Sequence, residues 1–206
     1  MKYETERQNV ADFMQRLYRQ KLTTTSGGNI SCRTEDSHIL LTPSGLDKAN
    51  LTAAEIAVLT ENGENLSPAL PPSIELQMHM AIYAARPDIK AIVHAHPVTA
   101  TAFCASRKEI NCRYIAESYV IVGDPVVVPY AHMGTQKLAD NVYKAAAENN
   151  ACMLLENHGV IAGGETLLQA FNRIEVLEAS AKITVLLEQI GDGVTLSQEN
   201  LNSLIT

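Results

Sequence analysis

The segment that most constrains this chain is KAIVHAH, residues 90–96, closed at once by Pro97. Its apolar, partly β-branched content reads as a strand, and proline, which has no amide N–H to give a ladder, ends it there. Residues i and i+2 of a strand project from the same face, so the imidazoles of His94 and His96 emerge together at the strand's mouth. An isolated H-x-H pair is more often incidental than metal-binding, so the rest of the chain has to supply the partners that would make it a site.

The surrounding pattern alternates helical and extended segments. Val10, Phe13, Met14, Leu17 and Tyr18 fall at helical spacing and predict an amphipathic helix over 3–21. Apolar segments around 29–34 and 38–42, separated by Glu35-Asp36-Ser37, read as a hairpin. Thr52 with Glu55 makes a capping-box pattern that starts a brief helix, and Asn62-Gly63 predicts a strand pair pivoting on it. After Pro68, Pro71 and Pro72 a helix is expected at about 73–86, with Ser73 as its N-cap and Pro87 as its stop. Further along, TATAFCAS predicts a helix, YVIV and VVVPY strands, 135–149 a helix, ACMLLE a strand, and 166–190 a long helix ending at Gly191. The polar tail from about 192 is expected to be loosely held.

With no repeat or dividing linker, residues 1–206 read as one domain of the α/β class with a mixed sheet. Composition narrows the function further. A net charge of −7 with no basic run is a poor match to nucleic acid, and no run of 18 apolar residues offers a membrane span. The start, MKYETERQNV, lacks a secretory apolar region, which points to the cytoplasm. Cys32, Cys104, Cys112 and Cys152 form no C-x-x-C pair and fit buried thiols in a reducing compartment.

A third histidine, His158, lies in the turn-like ENHGV just past the strand ACMLLE. Three imidazoles from two strand ends suit zinc, whose catalytic sites keep three protein ligands and an open position. His38, His79 and His132 show no obvious partners. The loop Thr24-Thr25-Ser26-Gly27-Gly28-Asn29 and the turn Thr42-Pro43-Ser44-Gly45 are small and flexible enough for backbone N–H groups to approach an anion. Ser73, at a predicted helix start, adds a third such element. Glycine-rich turns are usually only turns, so these matter only if the fold brings them together. Glu75, in the first turn of that helix, either complements the helix dipole or serves as a carboxylate beside the histidines.

Taken in order, SGGNIS, TPSG, P-S-I-E-x-x-x-H, V-H-A-H-P and NHGV resemble the class II aldolase/adducin family over nearly the whole chain, most closely its L-fuculose 1-phosphate-cleaving branch. The resemblance implies a three-layer α/β/α sandwich around a mainly antiparallel sheet, and a homotetramer with active sites at subunit interfaces. It implies one zinc per subunit on His94, His96 and His158, with Glu75 as the catalytic glutamate that can also occupy the metal. Gly28, Asn29, Ser44, Gly45 and Ser73 match its phosphate-binding positions, and Tyr114, in CRYIAE, matches a tyrosine that reaches a neighbouring subunit's site.

The implied reaction is cleavage of L-fuculose 1-phosphate, or a similar deoxyketose 1-phosphate, to dihydroxyacetone phosphate and a small aldehyde such as L-lactaldehyde. Zinc would stabilise the enediolate charge, Glu75 would protonate C3, and Tyr114 would exchange the proton of the C4 oxygen. One position departs from the family pattern. A serine is usual before the glutamate, and Ile74, with no hydroxyl, stands there instead. An L-ribulose-5-phosphate 4-epimerase, typically with aspartate at the Glu75 position, and a methylthioribulose-1-phosphate dehydratase are alternative enzymes. A non-catalytic module like the adducin head loses metal-ligand histidines, whereas all three are present here.

Overall fold

The computed structural model describes residues 2–204. Its centre is a seven-stranded sheet of β1 (Asn29–Arg33), β2 (Ile39–Leu41), β3 (Ala57–Leu59), β4 (Ala91–Ala95), β5 (Val126–Val128), β6 (Cys152–Leu155) and β7 (Gly159–Gly164). The spatial order is β3-β2-β1-β4-β7-β6-β5, and every neighbouring pair is antiparallel except β5 with β6. The strand closed by Pro97 is therefore third from neither edge but the middle of seven, and its residues are buried on both faces.

Alternation along β4 sorts its side chains into two cores. Ala91, Val93 and Ala95 join the apolar cluster packed by α1 (Glu4–Arg19), α3 (Val98–Cys104) and α6 (Leu167–Ile190). Ile92 joins the opposite cluster, under α2 (Leu76–Ala85) and α5 (Gln136–Ala147). Helices thus cover both faces of a mostly antiparallel sheet, the three-layer arrangement expected. The same parity puts Asn29 and Ser31 of β1, paired with His94 and Ile92, on the α2 side, while Ile30 enters the other core.

Several local expectations are corrected. YVIV is not a strand: Ala116–Ile121 form α4, with Tyr119 N–H bonded to the Ile115 carbonyl and Val122 N–H to that of Ser118. The β-branched run yields because Ser118 is buried, Arg173 of α6 donates to the Ile121 carbonyl, and Gly123, at φ 73°, supplies the left-handed residue that ends a helix. Asn62-Gly63 does turn the chain, but only β3 is a strand. Its outer edge is met by Leu66 N–H on the Val58 carbonyl and by Ser67 Oγ on Val58 N–H, with one bridge between Leu59 and Asn65.

Ser73 is not the N-cap of α2. The helix starts at Leu76 with Glu75 at the cap, because residues 73–76 close a tight turn first, Leu76 N–H bonding to the Ser73 carbonyl. The tail is not loosely held throughout: Leu196 N–H bonds to the Arg113 carbonyl, and α7 (Gln198–Leu204) buries Leu201. β7 was not foreseen, since its glycine-rich, small-residue sequence carries little strand propensity and is held by neighbours on both sides. Nor are His38 and His79 without partners. His38 bonds to Tyr3 Oη at 3.0 Å, and His79 is fully buried among polar groups described below.

Candidate active site

Three pieces of chain meet where β4 ends. His94 lies within β4, His96 just past it, and His158 in the tight turn joining β6 to β7, where Asn157 adopts φ 52°. One ligand nitrogen of each imidazole lies within 4.8 Å of the others. His94 Nδ1 donates to the Val160 carbonyl at 2.9 Å, which leaves its Nε2 facing His96 Nε2 at 3.0 Å. The His96 ring fits only because residue 159 is glycine: a Cβ there would sit 2.3 Å from His96 Cδ2. Gly28, at φ +69°, likewise passes so close to β4 that a Cβ would stand 2.7 Å from the His94 carbonyl oxygen.

Glu75 arrives from the start of α2. Its Oε2 lies 3.2 Å from His94 Nε2 and accepts from Asn29 Nδ2 at 2.7 Å. Its Oε1 lies 2.8 Å from His158 Nε2 but accepts no hydrogen bond of good geometry. Burial alone would raise the Glu75 carboxyl, but the His94 and His158 imidazoles outweigh it and hold it well below the usual carboxylate range. For His94 burial opposes the charge and the Glu75 carboxylate overcomes it, so that imidazole is raised. His96 is pushed down to about 3, first by burial and then by His94 and His158. It is a neutral nitrogen donor at neutral pH.

This donor set fits a divalent cation. Three imidazole nitrogens converge, a buried carboxylate oxygen lies among them without a donor of its own, and His94 is held by a backbone carbonyl in the tautomer that offers Nε2.

Beside the histidines lies a cavity of about 340 Å³. All five candidate phosphate residues, Gly28, Asn29, Ser44, Gly45 and Ser73, line it together with Glu75, His96 and His158. The three small-residue turns are thus brought to one place. Ile74 presents its N–H to Ser44 Oγ at 3.2 Å while its side chain points outward, 61% exposed. Lys48 was missed from sequence. It lies three residues past the TPSG turn, is buried against the cavity, and its Nζ donates to the Pro43 carbonyl at 2.5 Å. Burial pushes its ammonium down to about 8, with Glu75 working the other way. Asn157 and Met133 also line the cavity.

Tyr114 is not brought to this site within one chain. It lines a larger cavity of about 860 Å³ with Arg113, Asp124 and Glu188, where Gly193 of the tail packs on its ring. Size does not identify the site here, since only the smaller cavity adjoins converging imidazoles and a buried carboxylate. No helix among the described residues is long and apolar enough to cross a membrane.

Known proteins bear directly on this arrangement. The Class II Aldolase and Adducin N-terminal domain family matches residues 8–185. The chain is 32% identical to a 5-deoxy-D-ribulose 1-phosphate aldolase of Bacillus thuringiensis serovar kurstaki, over 99% of this chain and 95% of that protein. It is 35% identical to a 3-oxo-tetronate 4-phosphate decarboxylase of Escherichia coli K12, over 86% of this chain and 82% of that protein. A solved L-fuculose 1-phosphate aldolase superposes with a TM-score of 0.88 at 34% identity, covering 99% of this chain and 96% of that one.

Proposed function

Because the chain belongs to the class II aldolase and adducin N-terminal family, we propose that it is a metal-dependent aldehyde-lyase that cleaves a deoxyketose 1-phosphate, such as L-fuculose 1-phosphate, to dihydroxyacetone phosphate and a small aldehyde. The observation that carries this reading is the meeting of His94, His96, His158 and Glu75 with the glycine-serine loops in one cavity. A divalent ion such as zinc, held by the three histidines, supplies Lewis-acid stabilisation of negative charge developing at the substrate's C2 carbonyl.

The protein's own groups do the rest. The backbone and side chains of Gly28, Asn29, Ser44, Gly45 and Ser73 hold the phosphate, and Lys48 adds a cation beneath it. That remote binding fixes the C3–C4 bond relative to Glu75. As the C3–C4 bond breaks, its electron pair stays on C3 and the C4 hydroxyl gives up its proton to become the aldehyde carbonyl. That proton balances the one that Glu75, protonated for this step, delivers to C3. In the reverse direction Glu75, ionised by its imidazole neighbours, removes that proton. Tyr114 of a neighbouring copy, in a homotetramer whose sites lie between subunits, exchanges the proton of the C4 oxygen.

The test is release of dihydroxyacetone phosphate from L-fuculose 1-phosphate and from 5-deoxyribulose 1-phosphate, with and without chelator. Chelator-sensitive release from either supports the reading, and no release from any ketose 1-phosphate sinks it. A second reading, decarboxylation of a phosphorylated 3-oxo acid, is supported by the 35% identical decarboxylase. Evolved carbon dioxide separates it from the first.

A further inference from the structure

We propose that His79 is a positioning residue: through a buried line of hydrogen bonds running from Tyr83 to Glu75, it fixes which way the Asn29 amide faces in the candidate site. Glu75, His79 and Tyr83 stand four residues apart along α2, and Asn29, Ser31 and Arg33 alternate along β1 beneath them. The two stripes interlock. Asn29 Nδ2 lies 2.7 Å from Glu75 Oε2 and 3.1 Å from Ser73 Oγ. Asn29 Oδ1 lies 2.5 Å from His79 Nε2, His79 Nδ1 lies 2.7 Å from Ser31 Oγ, and that oxygen lies 2.8 Å from Tyr83 Oη. His79 and Ser31 are fully buried, and Asn29 and Tyr83 nearly so.

These contacts leave one assignment of hydrogens. An ionised carboxylate only accepts, so the Asn29 amide turns its NH₂ toward Glu75 and its oxygen toward His79. That oxygen also only accepts, so His79 Nε2 carries the hydrogen. His79 is fully buried and its ring nitrogens face only a neutral amide and a hydroxyl, so the imidazole is neutral and its Nδ1 accepts. Ser31 must then donate to His79, and Tyr83 to Ser31. The guanidinium of Arg33 lies 4.6 Å over the Tyr83 ring and donates to the Tyr83 carbonyl at 3.2 Å, anchoring the far end.

A histidine that merely filled the core would be replaceable by an apolar ring. Here, removing the Nε2–H leaves Asn29 Oδ1 buried without a donor. The amide then keeps only its Nδ2 contacts to Glu75 and Ser73, and its position beside Glu75 loosens. His79 belongs neither to the histidine cluster nor to the residues that line the cavity, and it reaches the site through Asn29, which does line it.

The kinetic arm of the test rests on the lyase reading above, whereas the spectroscopic arm does not. In ¹⁵N-histidine-labelled wild-type protein, the His79 ring is expected to show a protonated Nε2 and an unprotonated Nδ1 at neutral pH. A ring with no hydrogen on Nε2 overturns the proposal. Kinetically, His79→Phe removes the donor, whereas His79→Gln keeps an N–H at the same reach. The phenylalanine variant is expected to lose about 10–100-fold in kcat/KM, the range for groups that orient site residues, and the glutamine variant to recover most of it. At matched Tm, equal loss in both variants, or no loss in the phenylalanine variant, overturns the positioning role. A wild type inactive on every phosphorylated sugar overturns the lyase reading alone, and the tautomer still decides the proposal.

Discussion

At the residue scale, the site depends on how burial sets the charge of a few groups. Lys48 is the clearest case for pH dependence. Its ammonium is pushed down to about 8, mainly by burial, so it is charged below that pH and neutral above it. Because kcat/KM reports the free enzyme, kcat/KM for a phosphorylated substrate is expected to fall as pH rises through about 8. Lys48→Met should lower the neutral-pH value, chiefly by raising KM, and abolish that limb. A limb that persists in the variant assigns it elsewhere. The histidine pair, Glu75 and the glycine turns were legible because each residue type announces its chemistry at short spacing. Lys48 was not, since a lone lysine carries no such pattern until a cavity faces it, and His79, though it closes P-S-I-E-x-x-x-H, has no visible role until a buried amide faces it. The repeat E-x-x-x-H-x-x-x-Y over 75–83, set against N-x-S-x-R over 29–33, is the signal that could have disclosed the polar stripe.

At the element scale, the elements whose apolar spacing and caps agree formed where expected. Thr135 and Thr166 cap α5 and α6 through their hydroxyls, and the Glu55 carboxylate accepts from Thr52 N–H at 2.9 Å. The segment 116–123 shows the opposite. Its residues Tyr119, Val120, Ile121 and Val122 favour a strand, and α4 forms because a helix there packs on α6 and stops at Gly123. Gly123 stands at φ 73° in open space, so the cost of a side chain there is conformational rather than steric. Gly123→Ala is accordingly expected to lower stability by about 1 kcal/mol, the cost of a left-handed non-glycine residue, read as a shifted denaturation midpoint with unchanged slope. No measurable shift would mean that the chain leaves the helix another way.

At the scale of the whole molecule, one chain holds two separate cavities. One chain completes the histidine-lined cavity, but Tyr114 lies in the larger one, beside the sheet edge at β5 where Val127 is 56% exposed. We expect self-association to join them, as a homotetramer. Mixing Glu75→Gln with Tyr114→Phe subunits should recover activity that neither variant has alone, since some sites then combine an intact Glu75 with an intact Tyr114. Absence of complementation in verified mixed assemblies would place both residues in one chain's site or remove Tyr114 from the reaction. The sequence alone determined the chemistry available to this protein: which side chains can ligate, which loops can approach an anion, and which segments bury an apolar face. Those are properties of residue type and short-range period. Only the tertiary structure decided which of them meet, because the spacing between β1, α2, β4 and the β6–β7 turn depends on strand order and register. Such long-range pairings leave no local mark in the chain.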